Sequence, residues 1–595
     1  MMKARFVTVP TLGLFLLAAG GLARADDGPA ARNADPLREP VAISDGTFFP
    51  SGDLDEAAWD IPGELVVDIK DDVEESAITG FLRGLGLTFH PTALESETKV
   101  EIVDVPVGRM AEVIAKLRGD PRVEVVEPLA RVRALFVPDD PLLKEQWHME
   151  RVGATRAWDF ASGRGVTVAV VDTGIACEDH GPFTKGTDLA NTACVGGWNV
   201  VTGNEHANDD QGHGTHVAGT IAQSTNNAIG GAGLAFHARL MPVKVLNADG
   251  FGTTADVADG IRWAADHGAN VINLSLGGPR NSRVLQKAID HALSKNVVVV
   301  AAAGNSGGSV GYPGASEGVI GVSATGPDDK IAKFSSRGSA VDIGAPGVSV
   351  TQQTICNKGR NKCETFPAWN GTSMASPHVA GAAALVMSLG VTDPASVEAA
   401  LKNTAREVDP SDDAKKLYGA GILQAASAVE RVTQNHVLVR LLALFGLTFL
   451  IARAARKKNA NAATPWTPLY WIPALAAGPG LFFFAPWILP RVHLAVDLLA
   501  RPLADLDLLL GVGVHRFLPL ANGLVPFALT AVTFGVKKAR PAVAGLAVGT
   551  AAYLASIVAL GDATGPFGKV ALIGWAVLNA MICLWIARTN LAETN

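Results

Sequence analysis

The stretch VTVAVVDTGI at residues 166–175 decides the fold of this chain. Val166 to Val171 is apolar almost without interruption, so a strand built from it needs cover on both faces. It ends on Asp172 and a glycine turn. Three further stretches repeat the form: RLMPVKVL (239–246), NVINLSL (270–276) and NVVVVAAAG (296–304). Helical spacing lies between them. Near-continuous apolar strands alternating with helices predict an α/β domain, a parallel sheet with helices on both faces, over residues 136–435. A segment of about 300 residues buries a large core.

Working outward, residues 61–135 read as a small α+β unit. Strands are expected at ELVVDIK (64–70), KVEIVDV (99–105) and from Val123, with helices over 74–85 and 110–117. At the N-terminus, Lys3 and Arg5 precede an apolar run to Leu22. Ala23-Arg24-Ala25 then fits a small-x-small cleavage site. Residues 1–25 are therefore expected to be a signal peptide, the alternative being an uncleaved anchor. Residues 26–60, rich in Asp, Pro and Gly, read as a linker.

Residues 436–595 read as an all-α transmembrane region of about five spans: 437–452, 469–489, 518–536, 541–560 and 567–587. The apolar segment 494–514 is interrupted by Asp497, Arg501, Asp505 and Asp507 and is expected at the membrane interface. His493 and His515 show no obvious partner. Arg453, Arg456, Lys457 and Lys458 follow the first span, Lys537, Lys538 and Arg540 the third, and Arg588 the fifth. Five spans put all of these on one side, the cytoplasmic one, and residues 26–436 outside. Gly545 and Gly549 form a GxxxG helix-packing motif.

Composition agrees. Of 595 residues, 18% are charged and 48% hydrophobic, which excludes a chain that is mainly disordered. The net charge of −7 gives no footprint for nucleic acid. Four of the five cysteines lie in the central domain. Four cysteines admit three pairings, of which the short loops Cys177–Cys194 and Cys356–Cys363 are favoured in an exported segment. Free thiols are the alternative if the segment stays inside.

Three motifs carry chemistry. Asp172 ends its strand, His213 opens HGTHVAGT (213–220), and Ser373 sits in GTSMASPHVAG (371–381). Each has an ordinary structural reading: a turn cap, half of a His213/His216 metal pair without a third ligand, and a helix N-cap. Together they read otherwise. A serine hydroxyl is a weak nucleophile that needs a base within reach, and His213 is that base. A helix N-terminus disfavours its protonation, which predicts a neutral imidazole near pH 7. Asp172 holds the tautomer, and Ser373 attacks a peptide carbonyl to give an acyl-enzyme. His216 and His378 read as structural.

With these motifs the central 300 or so residues resemble the subtilisin family of serine proteases. The order Asp, His, Ser is a known property of that family, and spacing alone does not supply it. The resemblance implies Asn305 and the Ser373 backbone N–H as donors to the oxyanion. It implies Ser275, Leu276 and Gly277 as the strand that pairs with an extended substrate. Ala302, Ala303 and Gly304 form the opposite wall of the pocket for the residue before the scissile bond, with Gly311 near its floor and Thr254 and Val257 at a further subsite. Small residues there imply a wide apolar pocket and a preference for large apolar side chains.

The resemblance also implies a structural Ca²⁺ held by Asp140, Asp188, Asn227, Ile229 and Gly231, with Gln146 as another candidate. The 61–135 unit resembles the family's inhibitory propeptide, with a junction between Arg131 and Pro138.

The expected protein is a multi-pass cell-membrane serine endopeptidase with its catalytic domain on the extracytoplasmic side. It matures by autocleavage. Its partners are peptide or protein substrates, its own propeptide and membrane lipid. Five spans exceed what anchoring needs, which points to partner docking or membrane-proximal substrates. The polar stretch 431–436 is a candidate site of release. The competing readings are a catalytically silent membrane scaffold, which active-site serine labelling separates, and a transporter with an attached binding module, which vesicle flux separates.

Overall fold

The computed structural model describes residues 60–73, 75–92, 98–130, 138–488, 500–517, 523–533 and 536–592. The expected signal peptide, nearly all of the linker, residues 131–137 of the junction, His493 and Asp497 lie outside them.

The first described unit is a four-stranded antiparallel sheet. Its strands are β1 (Asp60–Ile69), β2 (Thr88–Pro91), β3 (Val100–Asp104) and β4 (Val123–Ala130), in the order β2-β3-β1-β4. Helices Glu75–Gly84 and Met110–Arg118 connect them. Alternation sets the buried face: Leu65, Val67 and Ile69 of β1 point inward with Val103, Val113 and Leu117. The strand that the sequence pattern does not announce is β2. Its sequence TFHP has no apolar alternation and ends in proline, which only an edge strand tolerates.

The central domain holds a seven-stranded sheet, ordered β11-β10-β9-β8-β5-β7-β6. Its members are β5 (Thr167–Asp172), β6 (Trp198–Asn199), β7 (Arg239–Lys244), β8 (Val271–Leu274), β9 (Val298–Ala302), β10 (Val319–Thr325) and β11 (Ile343–Pro346). All pairings are parallel. The expectation from Val166–Val171 holds: every residue of β5, β8, β9 and β10 is buried. Val168 and Val170 pack into one core with helices His213–Ala222 and Thr372–Met387. Ala169 and Val171 pack into a second core with helices Thr254–Asp266 and Arg283–Ser294. The chain leaves β5 toward β7 on one side and returns as β8 on the other. A crevice opens at such a switch point, at the carboxyl ends of the strands.

Cys177–Cys194 and Cys356–Cys363 are bonded, the pairing favoured from the sequence. Cys583 is free and buried.

The C-terminal region is helical, but its helices are unequal. Among the described residues three are long and apolar enough to cross a bilayer: Ala425–Lys458, Lys537–Leu560 and Lys569–Ala592. The expected spans 469–489 and 518–536 instead contain the ten-residue helices Pro468–Ala477 and Leu524–Thr533. Each is about 15 Å long, half of a hydrocarbon core. Pro479 and Gly480, the latter at φ 109°, follow the end of the first. The GxxxG motif seats this short helix: a Cβ on Gly545 would lie 2.0 Å from Tyr470 O, and one on Gly549 2.3 Å from Ala474 O.

The boundary expected at 435/436 falls inside one continuous helix, Ala425–Lys458. Its first turns are core of the central domain, through Ala425, Ala428, Val429 and Val432. Further along, Leu442, Phe445 and Phe449 are exposed, Phe449 by 61%. Glu430 accepts from Arg156 and Trp487, and His436 is paired with Asp562. Release by cleavage at 431–436 therefore conflicts with the structure, because that stretch is helical and packed rather than an open linker.

Residues 500–517 are likewise docked rather than simply interfacial. His515 does have a partner, Asp507, at 2.6 Å. Asp505 is buried and accepts from Arg440 at 3.2 Å and from the Tyr553 hydroxyl at 2.7 Å.

Candidate active site

The crevice at the carboxyl end of β5 collects the expected residues. Asp172 is the last residue of β5 and is fully buried. Its Oδ1 accepts from the Thr173 N–H at 2.7 Å and lies 2.7 Å from His213 Nδ1. That contact places the imidazole proton on Nδ1 and leaves Nε2 as an acceptor. The His213 side chain is 24% exposed, enough to meet a substrate.

His213 begins its helix, and the approach is close. A Cβ on Gly214 would lie 2.1 Å from Gly174 O and 3.2 Å from Asp172 Cβ, so only glycine follows the histidine here. The turn before it is held by Asp209, a residue that sequence reasoning does not single out. One carboxylate oxygen accepts from Thr173 Oγ1 and the N–H groups of Gln211 and Gly212. The other accepts from Thr215 N and Oγ1. The available signal is a capping acid just ahead of a helix start.

At His213 burial and neighbouring charge set the direction of the shift. Burial works against the charged imidazole. The adjoining Asp172 carboxylate outweighs it, with Asp209 adding to the effect, so His213 sits above its ordinary value. His216 and His378 are buried structural groups. Burial pushes His216 and His378 down to about 4. His216 stacks on Trp369, and its Nε2 faces Pro367 O. His378 bonds Met374 O and His148.

Ser373 is the second residue of the helix Thr372–Met387. In this conformation its hydroxyl donates to Ser275 O at 3.1 Å rather than to His213 Nε2. Ser275 Oγ donates in return to Ser373 O at 2.8 Å. Contacts between nucleophile and base often close only around substrate.

Asn305 is oriented by two donors, Thr372 N and Thr372 Oγ1, both 2.9 Å from its Oδ1. They identify that atom as the oxygen and turn Nδ2 the other way. A Cβ on Gly371 would lie 3.5 Å from Asn305 Nδ2 and 3.6 Å from Ser373 N. Glycine thus keeps open a space between two N–H donors, the arrangement an oxyanion needs.

Beside Ser373 is a pocket of about 410 Å³, lined by Leu276, Gly277, Ala302, Ala303, Gly304 and Gly311 among others. Six of the seven expected substrate residues are therefore together. Ser275, the seventh, lines the adjoining cleft of about 670 Å³, with His213, Thr254 and Val257. The expected apolar lining is incomplete: Ser306, Ser309 and Ser336 also face the pocket. They lie in loops, where spacing gives no hint of facing.

The expected calcium residues also converge. Asp140 accepts from the N–H groups of Asn226 and Asn227. Asp188 is buried and accepts from Asn227 Nδ2, Gln223 Nε2 and Gly231 N. A Cβ on Gly231 would meet the Gln146 amide at 2.7 Å. Ile229 lies in the same turn, its N–H on Asn227 Oδ1. Burial pushes Asp188 up to about 7 and raises Asp140. Among the described residues no three His, Cys, Asp or Glu gather as a metal group. Two buried carboxylates joined through the Asn227 turn, with no cationic side chain among these bonds, are the kind of oxygen donor that a hard cation takes.

Comparisons with known proteins follow the same division. The Subtilase family profile matches residues 163–421, and the Fervidolysin N-terminal prodomain profile matches residues 60–128. The alkaline protease of Alkalihalobacillus alcalophilus is 38% identical over 60% of this chain and 89% of its own length. Thermitase of Thermoactinomyces vulgaris is 41% identical over 46% of this chain and 93% of its own. Among solved structures, a protease from Pseudoalteromonas arctica is 34% identical, covering 50% of this chain and all of that one, with a TM-score of 0.43.

Proposed function

Because the chain belongs to the subtilase family, we propose that its peptide-bond hydrolysis runs through Ser373, with His213 as base and Asp172 as the residue that orients it. The chain is a subtilisin-like serine endopeptidase with an N-terminal prodomain. The observation that carries the assignment of roles is the joint geometry: Asp172 on His213 Nδ1, and Asn305 and the Ser373 N–H around one open space. Ser373 Oγ attacks the carbonyl carbon while His213 Nε2 takes its proton. The oxyanion is held by Asn305 Nδ2 and Ser373 N. The proton passes to the leaving amine as the acyl-enzyme forms, and water repeats the sequence in reverse.

The prodomain is an inhibitor of its own protease, and we assign its removal to autocleavage between residues 131 and 138. The test is mass analysis of exported wild type and Ser373→Ala. Wild type loses the N-terminal unit and the variant keeps it. Equal processing of both purified chains would contradict the reading.

The pocket supports a preference for large apolar residues before the scissile bond. A side chain at Gly311 would start 3.0 Å from Gly278 O and grow into that space. Gly311→Val is expected to lower kcat/KM for an aromatic residue there by about 10-fold or more, while a substrate with alanine is spared. A kinetic series over that position decides it; an equal loss for both substrates would count against the pocket assignment.

Asp140, Asp188, Asn227, Gly231 and Ile229 would hold structural calcium, which when bound supplies positive charge to two buried carboxylates. At 100 times its Kd, such an ion adds about 2.7 kcal/mol, which corresponds to about 5 °C in Tm for a domain of this size. Chelation is expected to lower Tm by that amount, and Asp188→Asn to remove the difference. An unchanged Tm would reject the site.

The apolar helices support membrane integration of residues 436–595 with the catalytic domain outside. His436 meets Asp562 at one end of the helix bundle, and Asn459 meets Ala592 at the other. The basic clusters 453–458 and 537–540 therefore fall at the same end, opposite the catalytic domain, as the charge rule requires.

A further inference from the structure

Among the described residues, the C-terminal segment 500–517 meets the catalytic domain at the amino-terminal edge of the parallel sheet. Val512 N donates to Gly165 O, two residues before β5. Arg516 donates to the carbonyls of Lys295 and Asn296, just before β9. The reactive groups all lie at the opposite edge: Asp172 ends β5, Ser275 follows β8, and Asn305 follows β9.

The helix Thr372–Met387 gives an independent ruler. Ser373 is at its amino end. Ser388, just past its other end, accepts from Arg501 at 2.8 Å. The next loop is tied to the turn between the last two long helices: Thr392 and Asp393 donate to Asp562 O, and Lys569 pairs with Asp393. Fifteen residues at 1.5 Å separate Ser373 from that contact by about 22 Å. The length of β5 gives about 17 Å for the sheet alone.

We propose that the membrane region is a pedestal, holding the catalytic cleft about 20 Å beyond the bilayer surface and facing away from it. The substrates are then extracytoplasmic polypeptide segments that stand clear of the membrane, and bonds beside a transmembrane anchor are excluded. This rests on the membrane reading above, and it replaces the expectation of membrane-proximal substrates. Buried contacts hold the junction: Arg501 donates to Ser388 O, Leu508 and Val512 join the apolar core of the catalytic domain, and Asp505 of the same segment is fixed by Arg440 and Tyr553.

The test uses the full chain in phosphatidylcholine–phosphatidylglycerol vesicles. Substrates carry a membrane anchor, a proline-rich spacer of 3, 6, 12 or 24 residues, and a cleavable sequence; an unanchored copy is the reference. Such spacers rise about 3.1 Å per residue, so about seven are needed to reach the cleft. A soluble relative added to the same vesicles corrects each spacer for crowding at the surface. The expected result is near-reference cutting at 12 and 24 residues and at least a 10-fold loss at 3. Equal cutting at 3 and 24 residues by protein that floats with the vesicles overturns the proposal alone. Protein that fails to float overturns the membrane reading and the proposal with it. An uncut unanchored reference overturns the protease reading beneath both.

Discussion

Ser373→Ala is expected to lower kcat by about 10⁶-fold, the loss known for the nucleophile of subtilisin itself. The size follows from the acyl-enzyme route, in which no neighbouring group can take over the attack. The Ser275 hydroxyl beside Ser373 is engaged with Ser373 O and Asn273. The fold should survive: Ser373 contributes one hydroxyl bond to Ser275 O, in a helix otherwise buried among apolar residues. Residual activity should match the roughly 10³–10⁴-fold advantage over water that binding and the oxyanion donors alone retain. The measurement is turnover on a peptide substrate, with Tm as the control for folding. A variant that keeps a tenth of wild-type activity would remove Ser373 from the mechanism.

Asp172→Asn is expected to cost about 10⁴-fold, some 5 kcal/mol of transition-state stabilisation. The amide cannot stabilise the imidazolium and favours the wrong tautomer. A second signature follows from charge. Burial lowers the proton affinity of His213, and Asp172 more than reverses that. The reaction needs the neutral imidazole, so activity is lost as pH falls through the folded pKa of His213. In wild type the acid limb of kcat/KM therefore lies above the ordinary 6.5. In Asp172→Asn only the burial effect and the more distant Asp209 remain, and the limb moves down. A limb that stays in place would mean that another group sets it.

The parts of the fold legible in the sequence share one property: the signal is local and periodic. Val166–Val171 announces a strand buried on both faces because Thr167 is its one polar side chain and no alternation offers a face to water. Asp172, His213 and Ser373 are legible as motifs at the end of a strand or the start of a helix, and the family resemblance joins them and adds Asn305. The four central cysteines are legible because short loops bring their partners near.

What stays hidden depends on encounters between distant segments. Asp209 positions His213 through five hydrogen bonds, which nothing in a capping acid's spelling discloses. The direction in which His213 shifts is not legible in the sequence: the helix terminus is visible there, and the effect of the Asp172 carboxylate appears only in three dimensions. Ser306, Ser309 and Ser336 reach the pocket from separate loops. In the C-terminal region, apolar length sets the five expected spans. Pro479 and Gly480 interrupt one of them, and Tyr470 and Ala474 lie so close to Gly545 and Gly549 that the short helix is held by packing, not by length. Asp505 and Asp507 look interfacial because their partners, Arg440, Tyr553 and His515, are 65, 48 and 8 residues away.

The most direct test of the central claim is covalent labelling with a fluorophosphonate, read by peptide mass. The reagent phosphonylates a serine only where a base and oxyanion donors activate it. The account predicts one label, on Ser373, in the matured wild-type chain, and none in His213→Ala. A matured, folded chain that takes no label, or takes it at another serine, would contradict the account.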